Sequence, residues 1–161
     1  MLNKNLAIEG AEIRFRNFAG KEGKYNKEGD RNFCLVLDPD NAMALKEEGW
    51  NVKFLEPRDD ENERVPYLPV SVSFKYYPPK VILITSKGKT QLDENTVGSL
   101  DWAELENIDL IIRPYNWEFN GNSGVKAYLK AGYFTIVEDE FESKYYEVPN
   151  NPGMPDVGDG N

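Results

Sequence analysis

Apolar and polar residues alternate with a period of two over much of this chain, the signature of half-buried β-strands. The pattern is longest between Ile108 and Val137. On its first half Arg113, Tyr115, Trp117 and Phe119 stand at every second position, so an extended backbone puts all four on one face. Lys126, Tyr128 and Lys130 repeat the arrangement on the second half. Between them, Asn120-Gly121-Asn122-Ser123-Gly124 is rich in residues that tolerate positive φ, as a tight hairpin loop requires.

The parity of that loop decides what the hairpin displays. With two or four loop residues, as when Asn120 pairs with Ser123 around Gly121-Asn122, Tyr115 faces Tyr128, Trp117 faces Lys126, and all seven side chains share one surface. A three- or five-residue loop turns Lys126, Tyr128 and Lys130 to the opposite face. The even loop is expected, because it also gathers Val125, Ala127, Leu129 and Ala131 with Leu110 and Ile112 on the buried side. Such a surface sets flat π-faces beside positive charge, the combination that unpaired bases and their phosphates need.

Earlier in the chain, Ala11 to Arg16 alternates with Ala11, Ile13 and Phe15 inward and Glu12, Arg14 and Arg16 outward, which predicts a strand with a basic face. A glycine-punctuated basic loop, residues 20 to 29, carries Lys21, Lys24, Tyr25 and Lys27. Arg31 to Leu37 is nearly continuous in apolar residues and reads as a central strand containing Cys34 as a small core residue. Asp38 as N-cap, Pro39 at the first helical position and Gly49 at the C-cap predict a helix over 39–48. Trp50 to Phe54 alternates as a strand, and the acidic loop from Glu56 to Arg64 reads as a solvated tip, without the spaced Asp/Gly pattern of a calcium site.

Tyr67 to Phe74 alternates again, with Pro69 pointing to an edge position. Lys75, Tyr77 and Lys80 follow around the break at Pro78-Pro79, and Val81 to Thr85 is a further strand. Ser86-Lys87-Gly88-Lys89-Thr90 ends like a phosphate-binding loop, but the motif needs a glycine where Leu83 stands, so a basic turn is expected. A second short helix is predicted between Thr96 and Leu105, with Trp102 on its core side. No internal repeat is present.

Charge and composition narrow the chemistry. The 161 residues suit one domain with a real core. No apolar run reaches membrane-spanning length and no secretory leader pattern opens the sequence, which implies a soluble, cytoplasmic protein without membrane partners. Histidine is absent and cysteine occurs once, which removes the commonest metal ligand and general base and argues against zinc sites and Ser-His or Cys-His catalysis; no catalytic residue, metal or cofactor is expected. The net charge of −9 argues against a nucleic-acid partner only until its distribution is read. From Glu138 onward seven acids oppose Lys144 alone, so −6 lies in the tail and −3 in residues 1–137. Residues 138–161 are expected to be a disordered acidic tail.

In order, two strands (6–18 and 30–37), an excursion, a bent third strand (67–85), a short helix (96–106) and a hairpin (108–137) match an all-β fold with two short helices, an OB-type five-stranded barrel with residues 38–66 inserted between its second and third strands. A β-sandwich is the alternative. The segments Ile13-Arg-Phe-Arg-Asn-Phe-Ala-Gly, Tyr25-Asn-Lys-Glu-Gly-Asp-Arg-Asn-Phe and Gly49-Trp-Asn-Val-Lys, together with the acidic tail, resemble the OB-fold single-stranded DNA-binding proteins of tailed bacteriophages. The resemblance implies non-catalytic binding of replication and recombination intermediates in the host cytoplasm, and a tail that recruits replication or recombination proteins. The chain departs from such tails in finishing Asp159-Gly160-Asn161, without a terminal aromatic residue.

The candidate contacts to single-stranded DNA are Arg14, Arg16, Lys21, Lys24, Tyr25, Arg31, Lys75, Tyr77, Lys80, Arg113, Tyr115, Trp117, Phe119, Lys126, Tyr128 and Lys130. The competing function is a protein-interaction or virion module that uses the same aromatic surface without DNA.

Overall fold

The computed structural model describes residues 4–57 and 64–138. The acidic stretch 58–63 and the expected tail from residue 139 lie outside the described residues. The chain is mostly β, with nine strands among the described residues: β1 Leu6–Ile8, β2 Ile13–Asn17, β3 Arg31–Val36, β4 Lys53–Leu55, β5 Val65–Val72, β6 Lys80–Thr85, β7 Gly88–Leu92, β8 Leu105–Phe119 and β9 Asn122–Ile136. They join in one sheet with the order β1-β8-β9-β5-β3-β2, to which β4 adds on β5, β6 on β9, and β7 on β6.

The long strand β9 organises the rest. One edge pairs antiparallel with β8 along the whole hairpin. The other is shared by β5, parallel at Val70–Ala127 and Ser71–Tyr128, and β6, parallel from Lys80–Ala131 to Ile84–Thr135. The expected first strand, 6–18, is divided in two. Gly10, at φ 62, donates its N–H to Asp109 Oδ1. Ala11 then donates to the Ile108 carbonyl of β8, and Glu12 accepts from Val36 of β3. Two residues therefore carry the chain from one end of the strand path to the other.

Helix α1, Pro39–Glu47, forms where its caps predict: the Asp38 side chain accepts from the Asn41 N–H. The second expected helix is a 3-10 turn, Val97–Asp101. Val97 and Leu100 are buried in it while Trp102 is left 78% exposed, so the core position expected for Trp102 is corrected. The expected bent third strand is two strands, β5 and β6, and the basic turn at Ser86-Lys87 opens onto β7, which the alternation did not single out. Pro69 lies inside the sheet, between the residues of β5 that pair with β4 and those that pair with β9, where a missing N–H forfeits no ladder bond on that side.

The core lies on the inner face. Phe18 stacks on Phe33 and meets Phe134 edge-on, with ring centroids 5.4 and 5.6 Å apart. Leu35, Leu68, Val70, Leu110, Ile112 and Leu129 surround them, all buried. Val125, Ala127 and Leu129 join Leu110 and Ile112 as the even loop requires, whereas Ala131, expected with them, is buried on the other face, opposite Ile111, because the register shifts after Leu129. Cys34 is turned out of this core: its neighbours Phe33 and Leu35 fill the interior, and Cys34 pairs with Arg14 and Pro69 on the outer side. Partial burial pushes its thiol pKa up, against a smaller opposing pull from Lys53, so it stays protonated at neutral pH.

Candidate nucleic-acid interface

The hairpin turns on Asn120-Gly121, with φ of 50° and 79°, and closes on the pair Phe119–Asn122. Two successive left-handed residues are what a two-residue I′ turn demands, and Asn-Gly is its preferred pair. The loop is thus even but displaced from the expected register: Tyr115 faces Lys126 and Trp117 faces Gly124. The parity is unchanged, so Arg113, Tyr115, Trp117, Lys126 and Tyr128 share the outer face. Gly124 has a specific reason to lack a side chain, since a Cβ there would lie 2.8 Å from Trp117 Cζ2. Lys130 leaves the row. The register shifts between Ile112–Leu129 and Ile111–Ala131, which makes Lys130 the unpaired residue of a bulge.

On that face the side chains are already in contact. The Arg113 guanidinium lies between two rings, 5.0 Å from the Tyr77 centroid and 5.1 Å from that of Tyr128. Tyr115 meets Tyr128 edge-on at 6.1 Å, and Lys126 Nζ sits 5.1 Å from the Tyr128 ring. Cation and ring faces so arranged are held flat and outward without needing a buried position.

The sheet continues this surface across three further strands. Arg113 pairs with Tyr128, Tyr128 with Ser71, Ser71 with Asn32, and Asn32 with Asn17. One ladder of outward side chains therefore runs from β8 to β2. Above its middle is an open groove of ≈ 600 Å³ whose lining includes Lys27, Arg31, Asn32, Ser71, Phe74, Lys75, Lys126 and Tyr128, and also the acids Glu28, Asp30 and Glu94. A second of ≈ 380 Å³ adjoins it at Ser71 and Lys126 and reaches Trp117 and Gly49. A concave channel with lysines on its walls and aromatic faces at its side suits an extended polyanion with flat bases.

The family described as "Putative phage ssDNA-binding domain" matches residues 1–157. The chain belongs to this family. In fold it is similar to the single-stranded DNA-binding protein from bacteriophage Enc34. The C-terminally truncated form of that protein gives a TM-score of 0.52 at 12% identity, over 84% of this chain and 87% of the other. Its complex with ssDNA gives 0.52 at 12% identity, over 85% and 89%. No curated protein sequence is significantly similar.

The ladder's far end lies at the basic loop. There Asn17 and Asn32 fix the basic loop. Asn17 exchanges hydrogen bonds with Lys21, accepting from its N–H at 2.9 Å and donating to its carbonyl at 3.0 Å. Asn32 donates to Asn26 Oδ1 at 2.8 Å, and Asn26 in turn donates to the carbonyls of Lys21, Lys27 and Asp30. Lys24 and Tyr25 sit at the loop's tip, with the Tyr25 ring 90% exposed. Asn17, Asn32 and Ser71 carried no local signal in the sequence, because only the pairing of distant strands aligns them.

Several sequence candidates are engaged within the fold. Arg16 Nη1 donates to the carbonyls of Leu100 and Ala103, both at 2.8 Å, so its charge ties β2 to the 3-10 turn. Arg14 bridges to Glu12 at 3.2 Å. Arg31 faces Glu94 at 3.7 Å and lies 5.5 Å from the Phe74 ring. Lys80 pairs with Ala131 beside the Lys130 bulge, further along β9 than the ladder. Phe119 is exposed at the hairpin tip. Phe15, expected inward, is 64% exposed. The alternation fails there because β2 shifts register between Arg14 and Asn17, with Phe15 at φ 55.

Proposed function

We propose that the protein binds and protects single-stranded DNA during phage replication and recombination, without catalysis and with little regard to sequence. The function class follows from family membership. The observation that carries the finer reading is the ladder from Arg113 to Asn17, with Tyr128 near its hairpin end in contact with Tyr115, Arg113 and Lys126. Stacking on rings is available to any base, and phosphate pairing ignores sequence, so an interface of this kind discriminates strandedness first. The pairing of β8, β9, β5, β3 and the divided 6–17 segment supports an OB-type barrel as its scaffold, with residues 1–137 as the binding domain and 38–66 as an insertion. The host cytoplasm is its place of action.

Fluorescence titration with oligo-dT and with duplex of equal length tests this reading. The single strand should bind more tightly, and Trp117→Ala should weaken that binding by about 1–3 kcal/mol while the fold is retained. A folded Trp117→Ala protein that binds as before removes the hairpin as a stacking platform. Absence of binding to either nucleic acid would leave the aromatic surface to a protein partner.

The acidic residues 139–161 are proposed to compete with DNA for the same surface, besides recruiting replication or recombination proteins. Glu138, the last described residue, is anchored at Ser86, whose N–H and hydroxyl donate to its carboxylate at 2.9 and 2.7 Å. Those bonds lower its pKa and keep it ionised. The following segment can extend about 3.3–3.6 Å per residue, enough to return to the ladder. Deleting residues 141–161 should leave the melting temperature nearly unchanged and tighten oligo-dT binding, most at low salt, because screening acts over about 10 Å at 0.1 M. Equal affinity with and without these residues at every salt concentration would dismiss the competition.

A further inference from the structure

Trp102 is 78% exposed although the turn that carries it buries Val97 and Leu100 completely. The turn is held rigidly against the start of the basic loop. Arg16 binds the carbonyls of Leu100 and Ala103. Asp101 accepts from the N–H groups of Phe18 and Ala19 at 2.7 and 3.0 Å. Gly98 approaches Ala19 so closely that a Cβ would lie 3.1 Å from the Ala19 Cβ. Within this frame Lys21 Nζ stands 4.6 Å from the Trp102 ring centroid.

The position of that pair follows from Asn17. The same asparagine ends the ladder by pairing with Asn32 and holds Lys21 through both backbone bonds. Lys21 and Trp102 therefore lie just past the β2 end of the surface whose other end is the hairpin. Four strand spacings of about 4.8 Å separate Arg113 from Asn17, or about 19 Å in all. Beside the Arg16 anchor, Phe15 is also exposed, in a left-handed conformation that a bulky residue adopts only where its surroundings enforce it. An edge strand bent in this way spends backbone strain on holding an aromatic side chain in water.

We infer that Trp102, with Lys21 over its ring, is a second stacking platform for the same single strand, at the opposite end of the ladder from Trp117 and Tyr128. One base lies against the exposed indole and its phosphate meets the Lys21 ammonium. The inference rests on the single-strand reading above and adds an end to its path. A strand long enough to cross the ladder engages both platforms, whereas a short one engages the hairpin alone.

The test compares Trp102→Ala with the unsubstituted protein on oligo-dT of about four and about sixteen nucleotides, the range of OB-fold site sizes. Loss of one stacked base should weaken binding of the long strand by roughly 5- to 150-fold and leave the short strand unaffected. Unchanged affinity for the long strand overturns the inference, and so does an equal loss on both lengths. A second measurement uses Trp117→Phe, whose remaining indoles are the buried Trp50 and the exposed Trp102. Binding of the long strand, followed independently by the anisotropy of a labelled oligonucleotide, should quench the exposed emission. A bound strand without quenching overturns the inference too. If the unsubstituted protein binds neither length, the single-strand reading itself fails and this one with it.

Discussion

Raising salt from 50 to 200 mM should weaken oligo-dT binding by roughly two orders of magnitude, in spite of the net charge of −9. The reason is local. Single-strand affinity falls with a slope of about −0.7 in log salt for each phosphate neutralised, so four to six contacts give a slope near −3 to −4. The cations available along the ladder are Lys21, Lys27, Lys75, Arg113 and Lys126, placed by the groove lining, the ring contacts or the bonds of Lys21 to Asn17. Arg16 is not counted, because its guanidinium is committed to two carbonyls. Arg14 and Arg31 are discounted for their pairs with Glu12 and Glu94. Lys126→Ala should lower the slope by about 0.7, whereas Arg16→Ala should act on stability first. A salt-independent affinity would exclude a phosphate-tracking channel and return the surface to protein recognition.

How much of this was legible beforehand depends on whether the determining contacts were local. The hairpin was readable because alternation and an Asn-Gly turn both act over neighbouring residues, and even its parity followed from matching two apolar rows. Its register was not, since Gly121-Asn122 and Asn120-Gly121 are both plausible centres until the Trp117 ring is seen lying on Gly124. Helix α1 announced itself through Asp38 and Pro39. The second helix failed because only Val97 and Leu100 seek the core, and Asp101 is drawn instead to the N–H groups of Phe18 and Ala19. Bulges escape an alternation argument altogether. The one around Phe15 leaves that ring outside the core, and the one at Lys130 turns Ala131 away from Leu110 and Ile112. Cys34 was placed in the core for a different reason, its continuous apolar run, whereas regular pairing of β3 with β5 sends every second residue outward. The candidate interface inherited the same division: its aromatic half lay in one continuous stretch, while Asn17, Asn32 and Ser71 come together only through the sheet.

Replacing Gly132 with alanine should cost about 3 kcal/mol of stability, near the upper end of the usual overpacking range. Gly132 follows the β9 bulge and faces Leu110 across the hairpin. A Cβ at this position would lie 2.5 Å from Phe134 Cε1, 2.9 Å from its Cζ and 3.5 Å from Leu110 Cδ2. The collision cannot be relieved by a simple rotation. Phe134 is fully buried, its ring laid over Gly132 and set edge-on against Phe18, which stacks in turn on Phe33. Moving the ring therefore disturbs the aromatic centre of the core, and leaving it in place compresses a close-packed contact. For a chain of this size the loss corresponds to a melting temperature lower by roughly 6–12 °C. Gly124→Ala provides the contrast, because the ring it strikes, Trp117, is 39% exposed and can swing into solvent. That variant should keep most of its stability and lose single-strand affinity, whereas Gly132→Ala, working on the inner face, should bind normally for as long as it remains folded. Thermal unfolding and oligo-dT titration of the two proteins separate these outcomes, and an unchanged melting temperature for Gly132→Ala would mean that the Phe134 ring is not fixed as its contacts require.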